Sequence, residues 1–129
     1  MKIVLTSLMV DDQEKALSFY TEKLGFQKKE DISMGQYRWL TVTSPEGVAG
    51  VELVLEPMGF PPAKVFQKAL YDAGVPATAF FTSDIQAEYS RLKDLGVVFR
   101  GEPKNIGPVI LVQFEDNCGN LLQLVQKVG

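Results

Sequence analysis

Two polar side chains interrupt strands that are otherwise built for a core: Glu52 in "GVELVLE" and Gln123 in "NLLQLVQ". Strand alternation places Leu121, Gln123 and Val125 on one face, so the amide of Gln123 sits among apolar neighbours. Glu52, between Gly50 and Val54, is costly to bury unless it is paired. A carboxylate in such a place serves as a base, a metal ligand or the partner of a cationic ligand, and an amide donates to a developing oxyanion. The alternative for Glu52 is a structural hydrogen bond, to Gln123 or to a backbone amide. The chain has no histidine, which removes Ser-His and Cys-His catalysis and the commonest metal ligand. Its single cysteine, Cys118, excludes an intrachain disulfide. Cys118 follows Asp116 and Asn117 in a turn, where a nearby carboxylate disfavours the thiolate, so it reads as a turn residue.

A length of 129 residues, 46% apolar and 22% charged, suits one folded domain with a true core. A net charge of −3 with scattered lysines argues against nucleic acid as a partner. No apolar run approaches the ~20 residues of a membrane span, and the N-terminus turns acidic too early for a signal peptide. A cytoplasmic protein without membrane partners is expected.

The elements that position Glu52 and Gln123 are written twice. A first helix, "DDQEKALSFYTEKLG", starts at Asp11 or Asp12, with Asp11 and Glu14 spaced as a capping box, shows a stripe of Leu17, Tyr20 and Leu24, and stops at Gly25. A second, "SDIQAEYSRLKDLG", opens with Ser83 and Gln86, shows Ile85, Tyr89 and Leu92, and stops at Gly96. Gly25 and Gly96 are 71 residues apart, Asp12 and Asp84 are 72 apart, and the hairpin glycines Gly47 and Gly119 are 72 apart. A strand precedes each helix and three strand-like runs follow it: "FQKKEDI", "QYRWLTVT" and "GVELVLE", then "VVFRG", "PVILVQFE" and "NLLQLVQ". The repeat predicts an α+β chain of two βαβββ modules, 1–56 and 76–129, within a single domain of 1–129. Between them, 57–75 reads as a linker with its own helix, whose apolar side of Val65, Phe66, Ala69 and Leu70 must pack on something.

Two βαβββ modules, with "VDDQEKALSFYTEKLGF" opening the first and "FEDNCGNLLQLVQ" closing the second, resemble the vicinal oxygen chelate superfamily. That group includes glyoxalase I, bleomycin-resistance proteins, extradiol dioxygenases, fosfomycin-resistance proteins and methylmalonyl-CoA epimerase. The resemblance implies cup-shaped sheets with ligands on the first and last strand of each module. Those positions carry over to Leu5, Glu52, Ala77 and Gln123. The repeat pairs them likewise, Leu5 with Ala77 at 72 residues and Glu52 with Gln123 at 71. Leu and Ala cannot ligate, and a divalent ion wants about three protein donors, so no cofactor is expected and a divalent metal is the alternative. The cavity wall gains Ala79 and Phe81 by alternation, together with either Trp39 or Arg38, since "YRWLTVT" does not alternate cleanly.

Three functions follow from the resemblance. The first is a binding protein for a small organic molecule in a metal-free cavity between modules, with Leu5, Trp39, Glu52, Ala77, Phe81 and Gln123 as contacts. The second is an enzyme, a glyoxalase- or epimerase-type lyase or isomerase or a dioxygenase, with Glu52 as base or metal ligand. The third is a structural module. A homodimer is expected, in which Leu5 and Glu52 of one chain meet Ala77 and Gln123 of the other.

Overall fold

The computed structural model describes residues 1–129 and contains the two βαβββ modules that the repeat predicts. The first comprises β1 (Leu5–Met9), α1 (Gln13–Ser18), β2 (Gln27–Met34), β3 (Tyr37–Thr43) and β4 (Glu52–Glu56). After α2 (Pro61–Asp72) come β5 (Thr78–Phe81), α3 (Ile85–Asp94), β6 (Lys104–Asn105), β7 (Val109–Glu115) and β8 (Leu121–Lys127). The strands form two four-stranded sheets, ordered β1-β4-β3-β2 and β5-β8-β7-β6, and the class is α+β. In each sheet the first and last strands of the module run parallel and the remaining pairs antiparallel. The chain divides into two compact units after Phe66, within α2. No helix is long and apolar enough to cross a membrane.

In the N-terminal unit the cap of α1 is Asp12, the second of the two starts the sequence allows, and its carboxylate accepts from Lys15 N–H at 3.0 Å; the Asp11–Glu14 capping box does not form the cap. The buried stripe shifts with it, to Gln13, Ala16, Phe19 and Tyr20 rather than Leu17, Tyr20 and Leu24. A single π-type turn over Phe19–Lys23 continues the helix, closed by Leu24 N–H donating to the Phe19 carbonyl five residues back. This turn absorbs the one residue by which the first helix exceeds the second between cap and stop glycine. Leu8, Leu40, Val42 and Leu55 make the sheet's share of the core. Gln13 is buried and clamps the sheet: its Nε2 donates to the Arg38 carbonyl at 2.7 Å and the Leu55 carbonyl at 2.9 Å, and its Oε1 accepts from Arg38 N–H at 3.0 Å. The β3–β4 ladder pairs Thr41 with Val54 and Val42 with Leu53, and Gln13 bridges the two strands beyond them.

In the C-terminal unit Asp84, not Ser83, caps α3 by accepting from Ala87 N–H, and Ile85 and Leu92 are buried, with Tyr89 half-buried. The predicted strand "VVFRG" shrinks to one bridge, Phe99 to Phe114, and pairing resumes only at Lys104–Asn105. Gly101 at φ +108° turns the chain, and Pro103 has no N–H to continue a ladder. The β7–β8 connection is built around Asp116, fully buried, which accepts from Cys118 N–H, Asn120 N–H and Asn120 Nδ2 at 2.7–3.0 Å. Cys118 is buried within that turn. Gln67 of α2 donates to the Cys118 carbonyl and to Asn120 Oδ1, and a Cβ on Gly119 (φ +94°) would lie 2.5 Å from its Oε1. α2 therefore buries Ala63 and Gln67, while Val65 and Phe66, expected on its packed side, are 71% and 62% exposed. A polar residue wins the buried position because its amide matches the hairpin's carbonyls.

Candidate functional site

The register within each sheet decides which predicted residues share a face. In the first sheet Leu5 pairs directly with Glu52 across the parallel β1–β4 ladder. Thr41 pairs with Val54 and Trp39 with Ile32, so Trp39, Thr41, Val54, Glu52 and Leu5 lie on one face. Arg38 lies on the other, where its guanidinium bonds to Glu14 of α1 and to both carboxylate oxygens of Asp31. This settles the choice left open between Trp39 and Arg38. The Arg38 guanidinium holds the Asp31 carboxyl below its ordinary range, and the two acids raise Arg38 in turn. Beside this ion-pair cluster a cleft of about 480 Å³ is lined by residues that include Asp12, Gln13, Tyr37, Arg38, Met58 and Lys64.

Glu52 and Trp39 share a face but are not neighbours. Thr41 opposite Val54 sets Glu52 level with Thr43, four residues of β3 from Trp39, or about 13 Å. Glu52 is half-buried and its partner is Thr41, which sequence reasoning did not name. The Thr41 hydroxyl donates to Glu52 Oε1 at 2.7 Å and accepts from Glu30 N–H at 3.0 Å. That N–H is available because β2 bulges: between the pairs Lys28–Val42 and Asp31–Leu40, two residues oppose Thr41 alone. Leu5 is 44% exposed, and Thr41 and Val54 are buried.

In the second sheet Gln123 pairs with Ala79 and with Gln113, and Phe81 with Val125, so Ala77, Ala79, Phe81, Gln113 and Gln123 share the face away from α3. That assignment follows from Gln126, on the opposite face, whose Oε1 accepts from Ile85 N–H. Phe81 is 61% exposed under the Lys127 ammonium, and Phe114 is core. At the end of the same face Tyr71 O–H donates to Glu115, and Arg100 stacks over the Tyr71 ring.

The registers also correct the pairing of Glu52 with Gln123. Ala77 N–H donates to the Leu121 carbonyl one step before the Thr78–Leu122 pair, so the residue level with Ala77 is Leu121. Leu121 is thus the counterpart of Glu52, and Gln123 that of Val54. The hairpin before β4 spans residues 44–51 and that before β8 only 116–120, three residues fewer. Those three residues follow the matched glycines, beyond the reach of turn matching. The resulting error of two residues keeps the face and changes the level.

A sequence profile of the Glyoxalase/Bleomycin resistance protein/Dioxygenase superfamily matches residues 2–124. The chain belongs to this superfamily. Among relatives of the chain, YurT of Bacillus subtilis (strain 168) is 56% identical over 127 residues, covering 98% of this chain and all of that one. YetH of the same organism is 36% identical, covering 95% of this chain and 96% of that one. The crystal structure of UcmS2 superposes with a TM-score of 0.82 at 31% identity, covering 97% of both chains. That of TnmS3, described as an antibiotic binding protein from Streptomyces sp. CB03234, gives 0.77 at 33% identity, covering 99% of this chain and 97% of that one.

Proposed function

We propose that this superfamily member binds a small organic molecule without a metal, on the sheet faces that carry Leu5, Trp39 and Glu52 in the first module and Ala77, Phe81 and Gln123 in the second. The observation that carries this reading is a partly exposed face of mixed apolar and polar side chains on which one carboxylate, Glu52, has a neutral hydroxyl as its only bonded side-chain partner. The likeness to TnmS3, an antibiotic binding protein, supports the same class of ligand. The distance along β3 from Glu52 to Trp39 suits a drug-sized molecule better than a two- or three-carbon metabolite.

The donor set does not fit a divalent ion. Beside Glu52 stands Leu5, beside Gln123 stands Ala79, and no three His, Cys, Asp or Glu side chains come together. The enzyme readings, with Glu52 as base or metal ligand, lack that partner and rank second. A homodimer is part of the proposal, since both modules leave apolar side chains exposed.

The test is a thermal-shift screen of chelator-treated protein against a panel of antibiotics and metabolites, with hits titrated by Trp39 fluorescence. At a hundredfold excess over Kd a ligand adds about 2.7 kcal/mol of stability. Glu52→Gln is expected to weaken the hits at least fivefold. Failure of every compound moves the protein to the structural reading, and tight calorimetric binding of nickel, zinc, manganese or iron(II) revives the enzyme reading.

A further inference from the structure

The bonding around Thr41 goes further than the presence of an acid on the face. A threonine hydroxyl has one proton and two acceptor positions. Here one acceptor position is taken by Glu30 N–H, the backbone donor that the β2 bulge leaves without a strand partner. The proton points to Glu52 Oε1. Glu30 N–H and Glu52 Oε1 thus take two of the hydroxyl's three hydrogen-bonding positions, with the proton on the Glu52 side. Glu52 is thereby held as an acceptor, with Oε2 bonded to nothing in the chain. No lysine or arginine forms an ion pair with it.

The sign of the face agrees. On β1, β3 and β4 the residues sharing this face are Leu5, Ser7, Met9, Tyr37, Trp39, Thr41, Thr43, Glu52, Val54 and Glu56, and its charged members, Glu52 and Glu56, are both acids. Basic side chains of these strands go elsewhere: Arg38 lies on the opposite face with its own acids. On β2 the bulge sets Lys29 and Glu30 together opposite Thr41, one charge of each sign, so the excess of acid on the face is that of Glu52 and Glu56. A half-buried acceptor with an unused oxygen takes a protonated nitrogen as its complement.

We propose that Thr41 is a positioning residue which, anchored by the β2 bulge, holds the Glu52 carboxylate as an acceptor so that the site selects ligands carrying a protonated amine. This rests on the ligand-binding reading above and names the chemical class that reading leaves open.

The experiment compares two probes by calorimetry: a naphthyl ring on a short flexible chain ending in an ammonium, and the same molecule ending in a methyl group. The wild type is expected to bind the ammonium probe at least tenfold more tightly. Glu52→Gln is expected to reduce that ratio to near one. Thr41→Val, which keeps the side-chain shape but removes the hydroxyl, is expected to reduce it to below threefold, while Thr41→Ser restores it. Thr41→Ser also keeps the bond to Glu30 N–H, so the test stands even if Thr41→Val fails to fold. A Thr41→Val variant that is folded by circular dichroism and keeps the wild-type ratio overturns the role of Thr41 and leaves ligand binding intact. Equal affinity of the wild type for both probes overturns the amine selectivity alone. Binding of neither probe overturns the amine selectivity, and together with failure of the antibiotic and metabolite panel it overturns the ligand-binding reading as well.

Discussion

At the scale of single residues, local polar groups do work that a hydropathy pattern does not record. Gln13 is the plainest case. It occupies the first position of α1 with its amide turned into the sheet, where it satisfies two carbonyls and one N–H of separate strands. Replacing Gln13 by leucine leaves those three groups unpaired in a buried setting, and the expected loss is about 2–4 kcal/mol in urea denaturation. The predicted stripe of Leu17, Tyr20 and Leu24 does not include Gln13. Only the position of Asp12 as cap moves the buried stripe onto Gln13, Ala16 and Tyr20. Thr41 was equally hidden. Its hydroxyl meets Glu52 across two strands through a bulge, and a bulge has no signature in "FQKKEDI".

At the scale of elements, repetition made the plan legible and insertions blurred the detail. Stop glycines and cap aspartates are local signals, and they located both helices and both hairpins. The same signals carried a discrepancy of one residue between the helices, which the π-type turn at Phe19–Lys23 explains. Deleting Thr21 from this turn is expected to leave a regular helix of the second module's length and a cooperatively unfolding protein. Deleting Ser90 from α3, where there is no surplus residue, rotates Leu92 off the core and is expected to cost about 2–5 kcal/mol. Thermal denaturation of the two variants distinguishes them, and equal damage from both would refute the insertion account. The level of Gln123 was not legible for a related reason: strand register depends on loop length, and the longer hairpin hides its extra residues behind a matched turn.

At the scale of the whole molecule, the exposed apolar residues bear on assembly. Phe60, Val65 and Phe66 stand together around the start of α2, each more than 60% exposed, while Phe81 is bare on the second module. Their covering by a second copy is expected to give a sedimenting species of twice 14.3 kDa at micromolar concentration, and a monomer there would contradict it. The side of α2 expected to pack, Val65 and Phe66, is instead exposed within the chain. Hydropathy cannot show that the amide of Gln67 takes the seat against the hairpin.

The two hairpins that precede β4 and β8 are also unequal as places to attach something. The tip after Gly119 is pinned by Gln67, and the chain there has no slack. The tip after Gly47 already carries three residues more than its twin, with Val48 almost fully in solvent. It is the natural address for a fluorophore, an affinity tag or a displayed peptide, because the fold has already accepted added chain at that point without shifting the face of the strand that follows.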